Sequence, residues 1–450
     1  MLLRKRYKKD ILNGNIFEQM MLLFFPVFLG YILQQIYGFA DAMVLGRFVG
    51  KEALASVGGS ATAIINVILN VIAGMTAAMT VAVAQNYGRG DSARVNSVIR
   101  TGFYIATVFG GIISIVVILA SPALLTLMKE PAESIGTSLI YIRLYAAAFV
   151  PYFIYQSGIC IFRALGDNKR PNYFIIITAV VKIALDFLLA GVFRLGVLGT
   201  STATFLSYVV SAATVLTVFQ LTPDIYRYSL KDFGYDKDDL KTIMKMGAPF
   251  AIQNATYALP GIIIQSKINT FGTDAIAAFS AYNHVDNLFW CYSNAVGTVT
   301  VTMAGQNYGS RNMKRVRKIG WTAVLIEETG VILYGVAFTV FRRALLSMFV
   351  NDADVIAIGA SMMAVTSTKY FLHSFVGTTG SVCKGCGLSR FTSTVAVFTV
   401  LITRIAFLTF YPHVLPSDPL YCLPLSWGLT SIVYLLFFLT SKKLKVTDPS

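Results

Sequence analysis

The chemistry of this chain begins with charges set inside long apolar runs. Asp41 lies in a run that also carries Gln34 and Tyr37, and spacings of three and four put these side chains on one helix face. Lys182 and Asp186 stand four residues apart in a later run, close enough to pair along a helix face. An ionisable group within a membrane span costs on the order of 3 kcal/mol, so each such residue is a functional candidate. Asp41 and Asp186 are expected at similar depth. Two carboxylates away from water can hold a proton between them, or offer hard oxygens to a small cation. Lys182 neutralises Asp186 directly, and an ammonium that moves competes with a coupling ion. Further charges in runs of the second half are Asp286, the adjacent Glu327 and Glu328, and Arg404. Asn66, Asn70, Gln156, Gln253 and Asn254 add amides to the apolar runs. With 23 Tyr and 32 Phe in the chain, such groups suit a chamber for bulky, flat, cationic organic molecules, held by stacking and cation–π attraction.

No enzyme signature accompanies these residues. The three histidines, at 284, 373 and 413, lack metal-ligand spacing, and the Cys383–Cys386 pair has no second pair to complete a zinc site. No nucleotide-binding motif is found, so transport energy is expected from an ion gradient, with no cofactor beyond the coupling ion, H⁺ or Na⁺.

The elements that position these charges follow from composition. Hydrophobic residues make up 56% of the 450, charged residues 13%, and mean hydropathy is +0.66. A soluble protein carries roughly a quarter charged residues, so the chain belongs in a bilayer. Twelve apolar runs are each long enough to span it as a helix, and Pro26, Pro151 and Pro260 are the expected kink sites. Lys and Arg concentrate in alternate connecting segments. That bias places both termini in the cytoplasm of a multi-pass cell-membrane protein, and it turns the net charge of +15 toward anionic lipid rather than nucleic acid.

The frame is used twice. Gln85-Asn86-Tyr87-Gly88 recurs as Gln306-Asn307-Tyr308-Gly309, an offset of 306 − 85 = 221 residues, and Gly166 precedes Gly387 by the same interval. Internal duplication is common in secondary transporters. The expected fold is an all-α integral membrane protein of twelve transmembrane helices in two six-helix lobes. Six spans per copy keep both copies in one orientation, so the lobes are expected to be related by a pseudo-two-fold axis along the membrane normal. The expected divisions are an N-terminal lobe over 1–221, a cytoplasmic linker over 222–247 and a C-terminal lobe over 248–450. A short amphipathic helix near Asp238 to Met246 is expected on the membrane face of the linker.

Together, Gln34-Gln35-Ile36-Tyr37-Gly38-Phe39-Ala40-Asp41, the turn from Gly46 to Gly50, the twin Gln-Asn-Tyr-Gly segments, Phe162-Arg163-Ala164-Leu165-Gly166-Asp167 and Leu195-Gly196-Val197-Leu198-Gly199 resemble the multidrug and toxic compound extrusion (MATE) family, over about residues 15–440. The resemblance implies a V of two lobes that rocks between inward and outward states, exporting organic cations against H⁺ or Na⁺. In the DinF-like branch the first-lobe cation site maps onto Asp41, Lys182, Asp186 and Thr204, with Lys182 in place of an Asn. A fixed positive charge there repels Na⁺, so H⁺ coupling is expected, in a monomer. Two alternatives are a flippase of lipid-linked oligosaccharides from the same superfamily and, in a different class, a membrane-embedded enzyme or receptor.

Overall fold

A bilayer leaves every backbone polar group to be satisfied within the protein, and long apolar runs answer by forming helices. The computed structural model describes residues 10–44, 61–128, 132–222, 227–228, 231 and 233–441, with side chains at 10, 37–44 and 132–134 outside the described set. After a short leading turn (Asp10–Asn13) come α1 (Ile16–Val44), α2 (Thr62–Gly88), α3 (Ser92–Leu127), α4 in two pieces (Ala132–Ala147 and Phe149–Ala164), α5 (Lys169–Asp186) and α6 (Gly196–Leu221). The second series is α7 (Lys237–Asn269), α8 (Thr273–Gly309), α9 (Met313–Ser347) and α10, in two pieces (Ala353–Ser367 and Ser374–Gly385). It closes with α11 (Ser389–Val395 to Thr403–Phe410, joined by a π-helical stretch) and α12 (Cys422–Thr440).

All twelve apolar runs are therefore helical over their described residues, apart from the breaks within α4 and α10. Among the described residues, eight helices are long and apolar enough to cross a membrane, and α4 and α10 raise the number to ten if each bent pair is one span. The bends are 47° in α4 and 46° in α10. Pro151 stands just after the first, where its ring disfavours an unbroken helix. The second has no proline, while α1 and α7 run through Pro26 and Pro260. α7 and α8 have the length, 33 and 37 residues, but are too polar to pass by composition. They carry Gln253, Asn254, Gln265 and Lys267, and His284 and Asp286.

The repeated tetrapeptide is a helix stop. After Gly88, Gly90 takes φ +78°, and after Gly309 its counterpart Arg311 takes φ +61°. In both copies the left-handed residue donates its N–H to the tyrosine carbonyl (Tyr87, Tyr308; 3.0 Å each). The next residue donates to the asparagine carbonyl, from Asp91 to Asn86 and from Asn312 to Asn307. This is the Schellman closure, which glycine makes at no steric cost and arginine makes under strain. Asp91 and Asn312 then cap the following helices by accepting from Arg94 N and Arg315 N.

The chain forms two compact units, one of residues 1–31 with 252–450 and one of residues 32–251. In the second unit, α5 packs on α6, and α4 on α2, α3 and α6. The opening turns of α7 pack there too, through glycine. A Cβ on Gly74 would lie 2.3 Å from Ala251 N, and one on Gly247 would lie 2.5 Å from Met75 Sδ, so backbones meet at van der Waals distance. Residues 238–246 are accordingly the start of one continuous α7 rather than a separate surface helix. Asp236 caps it, accepting from Asp238 N and Asp239 N at 3.0 Å each. In the first unit, α8 is central and packs on α9 and α10. The leading residues Met20, Leu23, Phe24 and Val27 of α1 bury against Tyr292, Ala295 and Val299 of α8.

Candidate functional site

Helix α5 presents Thr178, Lys182 and Asp186 at four-residue steps, and all three are buried. The Lys182 ammonium donates to Asp186 Oδ2 in a direct ion pair, with both side chains only 1% exposed. The pair sits at the point where α5 turns into π-helix over Phe187–Val192, a local unwinding frequent at functional positions. Thr178 reaches across to α6, with its hydroxyl 2.6 Å from Ser211 Oγ.

One helical turn before the pair, about 6 Å along α5, Thr178 and Ile175 form part of a cavity of about 210 Å³. The remaining wall comes from Gln34 of α1, Tyr152, Tyr155 and Gln156 of α4, and Tyr208 of α6. Tyr152 meets Tyr208 edge-on at 5.0 Å, and Tyr155 lies 6.0 Å from the same ring. Aromatic walls with two amides and a hydroxyl are the usual makings of a site for a flat organic molecule.

Gln34 and Gln156 thus meet at one cavity. Asn70 instead donates to the Asn66 carbonyl on its own helix. Thr204 is buried in α6 and donates to the Thr200 carbonyl. The side chains of Tyr37 and Asp41 lie outside the described residues, as does the turn from Gly46 to Gly50. Gln253, Asn254, Asp286, Glu327, Glu328 and Arg404 belong to the other unit. There Asp286 accepts from Trp290 Nε1 at 2.6 Å and from the Tyr370 hydroxyl. Arg404 donates to Ser426 Oγ at 2.8 Å, Glu327 is fully buried and Glu328 is half-buried. The cavity tyrosines were not singled out from sequence. Tyr152 and Tyr155 flank Gln156 on α4 at helical spacing, but among 23 tyrosines that signal does not separate chamber from packing.

The MatE family model matches residues 26–188 and again 249–409, once for each copy of the repeat. The chain belongs to the MatE family. The probable multidrug resistance protein YpnP of Bacillus subtilis is 27% identical over 372 residues, 82% of this chain and 81% of the relative. The probable multidrug resistance protein NorM of Thermotoga maritima is 24% identical over 366 residues, 79% and 77% of the two chains. A solved outward-facing multidrug resistance MATE family transporter of the MOP superfamily superposes with TM-score 0.89 at 21% identity, covering 97% of this chain and 98% of that one. A crystal structure of MATE in complex with MaL6 gives 0.87 at 20% identity, covering 95% and 96%. The MatE chain is accordingly an all-α, multi-pass membrane transporter of twelve helices in two lobes, not an enzyme.

Proposed function

We propose that this MatE protein exports flat, cationic organic compounds from the cytoplasm across the cell membrane, in exchange for H⁺, by alternating access. The observation that carries this reading is the neutral, buried Lys182–Asp186 pair one helical turn from the aromatic cavity. With the pair closed, the cavity faces no net charge and accepts a cation. A proton entering from outside neutralises Asp186 and leaves the Lys182 ammonium without its counter-charge. At about 6 Å and an effective dielectric near 20, one uncompensated positive charge opposes a cationic substrate by about 3 kcal/mol, roughly a hundred-fold in affinity. That is a typical size for coupling between two ligands of one transporter. Release of the proton to the cytoplasm restores the pair and the affinity. The same ammonium opposes Na⁺ at Asp186, which favours H⁺ as the driving ion. Asp41 is the expected second acid of the same cycle.

The test is uptake of a fluorescent cationic dye into proteoliposomes, with a pH gradient and a Na⁺ gradient imposed separately. A pH gradient alone should drive accumulation, and Asp186→Asn should abolish it. Accumulation driven by Na⁺ alone would overturn the proton reading. Absence of uptake under either gradient, together with movement of a labelled lipid-linked sugar between leaflets, would favour the flippase alternative.

A further inference from the structure

The unit formed by residues 1–31 and 252–450 holds a buried acid that the mechanism above does not use. Glu327 and Glu328 are adjacent on α9, so they point about 100° apart, and it is Glu327 that faces inward, 0% exposed. Among the described residues, neither carboxylate oxygen of Glu327 has a hydrogen-bond partner. Asp286 in the same unit makes the contrast, since Tyr370 and Trp290 donate to its two oxygens.

Two groups approach Glu327 without closing on it. His373 Nδ1, on the turn within α10, lies 4.0 Å from Oε1. Ser293 Oγ, on α8, lies 3.4 Å from the same His373 nitrogen. All three converge on the bare face of Gly377. A Cβ there would stand 3.4 Å from Glu327 Oε1 and 3.3 Å from both Ser293 Oγ and His373 Cε1, so no side chain intervenes between them. The Trp290, Phe289 and Trp427 rings close around the imidazole at 5.0, 5.9 and 5.8 Å, which keeps bulk water away. A buried carboxylate with only the Ser293 hydroxyl near it is stable only when neutralised, and among the described residues the basic group that comes within 4.0 Å of it is the His373 imidazole.

We propose that Glu327 and His373 form a proton-binding site in this unit, separate from Lys182–Asp186. The proton rests on the Glu327 carboxyl. In transfer, the Oε1–H bond breaks and an Nδ1–H bond forms, leaving carboxylate against imidazolium. A small rotation of either side chain brings the two atoms into hydrogen-bond contact. Of the titratable groups on elements packed against α9, Tyr292 of α8 and His373 of the turn face this site, whereas Asp286 and Tyr370 are engaged with each other. Glu328 follows on α9 itself, and the Arg404 guanidinium adds a fixed positive charge toward His373. The use of this site in transport rests on the proton-exchange reading above, whereas its occupancy by a proton does not.

Infrared spectroscopy of the purified full chain separates the two. Wild type should show a protonated-carboxyl band near neutral pH that Glu327→Gln lacks and Asp186→Asn retains. His373→Asn should move the pH at which the band is lost. Identical spectra for wild type and Glu327→Gln across the pH range would overturn the site, with equal thermal melting of the two proteins excluding misfolding as the cause. Proton release on adding a cationic dye to detergent-solubilised protein then tests its use, with about one proton fewer expected from Glu327→Gln. Equal release would remove the site from the cycle while leaving the infrared assignment intact. A transporter driven by Na⁺ that still shows the Glu327 band would sink the antiport reading alone.

Discussion

Removing one charge from the Lys182–Asp186 pair and removing both should have opposite consequences for stability. Lys182→Met leaves a carboxylate whose side chain is 1% exposed without its ammonium. Breaking a buried pair from one side costs about 3–5 kcal/mol. At about 3 kcal/mol the folded-to-unfolded ratio falls roughly 150-fold. Asp186→Leu strands the ammonium and should cost a similar amount. The double variant Lys182→Met/Asp186→Leu removes both desolvation penalties and keeps similar volume, so it should recover to within about 1 kcal/mol of wild type. The coupling energy of this cycle is then about 5 kcal/mol or more, well above the usual range for touching residues. Denaturant titration of detergent-purified protein followed by tryptophan fluorescence measures stability, and dye uptake into proteoliposomes measures function. The double variant should be stable and should bind dye, yet fail to accumulate it against a gradient. If Lys182→Met is as stable as wild type, or if the single costs simply add in the double, the pair is not a mutually neutralising one and the proposed switch fails.

Other predictions follow from the packing. Gly74→Leu pushes a side chain into the Ala251 backbone and should reduce folded yield several-fold by size-exclusion chromatography, whereas Gly261→Leu, with nothing within 4 Å of its Cβ, should leave yield unchanged. Tyr208→Ala removes the ring that Tyr152 and Tyr155 share and should raise the Kd for an aromatic dye by about tenfold, the value of one lost aromatic contact, with little change in melting temperature. The Asp236 cap carries a pH signature. The Asp239 amide, then its own partial burial, then the Asp238 amide and Arg94 act on its carboxyl, and the balance sets it below its ordinary value of 3.8. Because the folded value is depressed, its stabilisation is present above about pH 4 and fades as pH falls further through the folded value. Asp236→Asn should therefore destabilise α7 at pH 7 but not near pH 3, as read by amide hydrogen exchange at residues 238–241.

Much of this architecture is legible in the sequence because the bilayer makes hydrophobicity nearly sufficient. The twelve apolar runs fold as helices where they are described, and the Gln-Asn-Tyr-Gly segments announce the stops at Gly88 and Gly309. The Lys182–Asp186 contact follows from a spacing of four. Other features depend on tertiary neighbours that no local pattern encodes. Residues 238–246 read as a separate amphipathic helix because they lie in the polar segment between two apolar runs. They continue into α7 because Gly247 and Gly74 let the backbones of α7 and α2 approach. Which of Glu327 and Glu328 turns inward is set by how α9 rotates against α8, and periodicity leaves that open. Tyr208 reaches the cavity only through the packing of α6 on α4 and α5, so it reads as one aromatic among many.

The boundary between the compact units falls within helices, at Tyr31–Ile32 in α1 and at Ala251–Ile252 in α7, positions separated by 251 − 31 = 220 residues, within one residue of the repeat offset. Each copy of the repeat therefore gives up the opening half of its first helix to the unit built by the other copy. The small residues that permit this are exchanged as well. Gly74 faces Ala251 in one unit, and the sequence counterparts in the other are Ala295 and Gly30. A single copy on its own would leave one half-helix dangling and one groove empty, and two identical copies would repair both faults at once by reciprocal exchange. The present chain is, in effect, such a helix-exchanged dimer with its partners fused, and the two copies carry their buried acids at unrelated positions, Asp186 against Phe407 and Glu327 against Ala106.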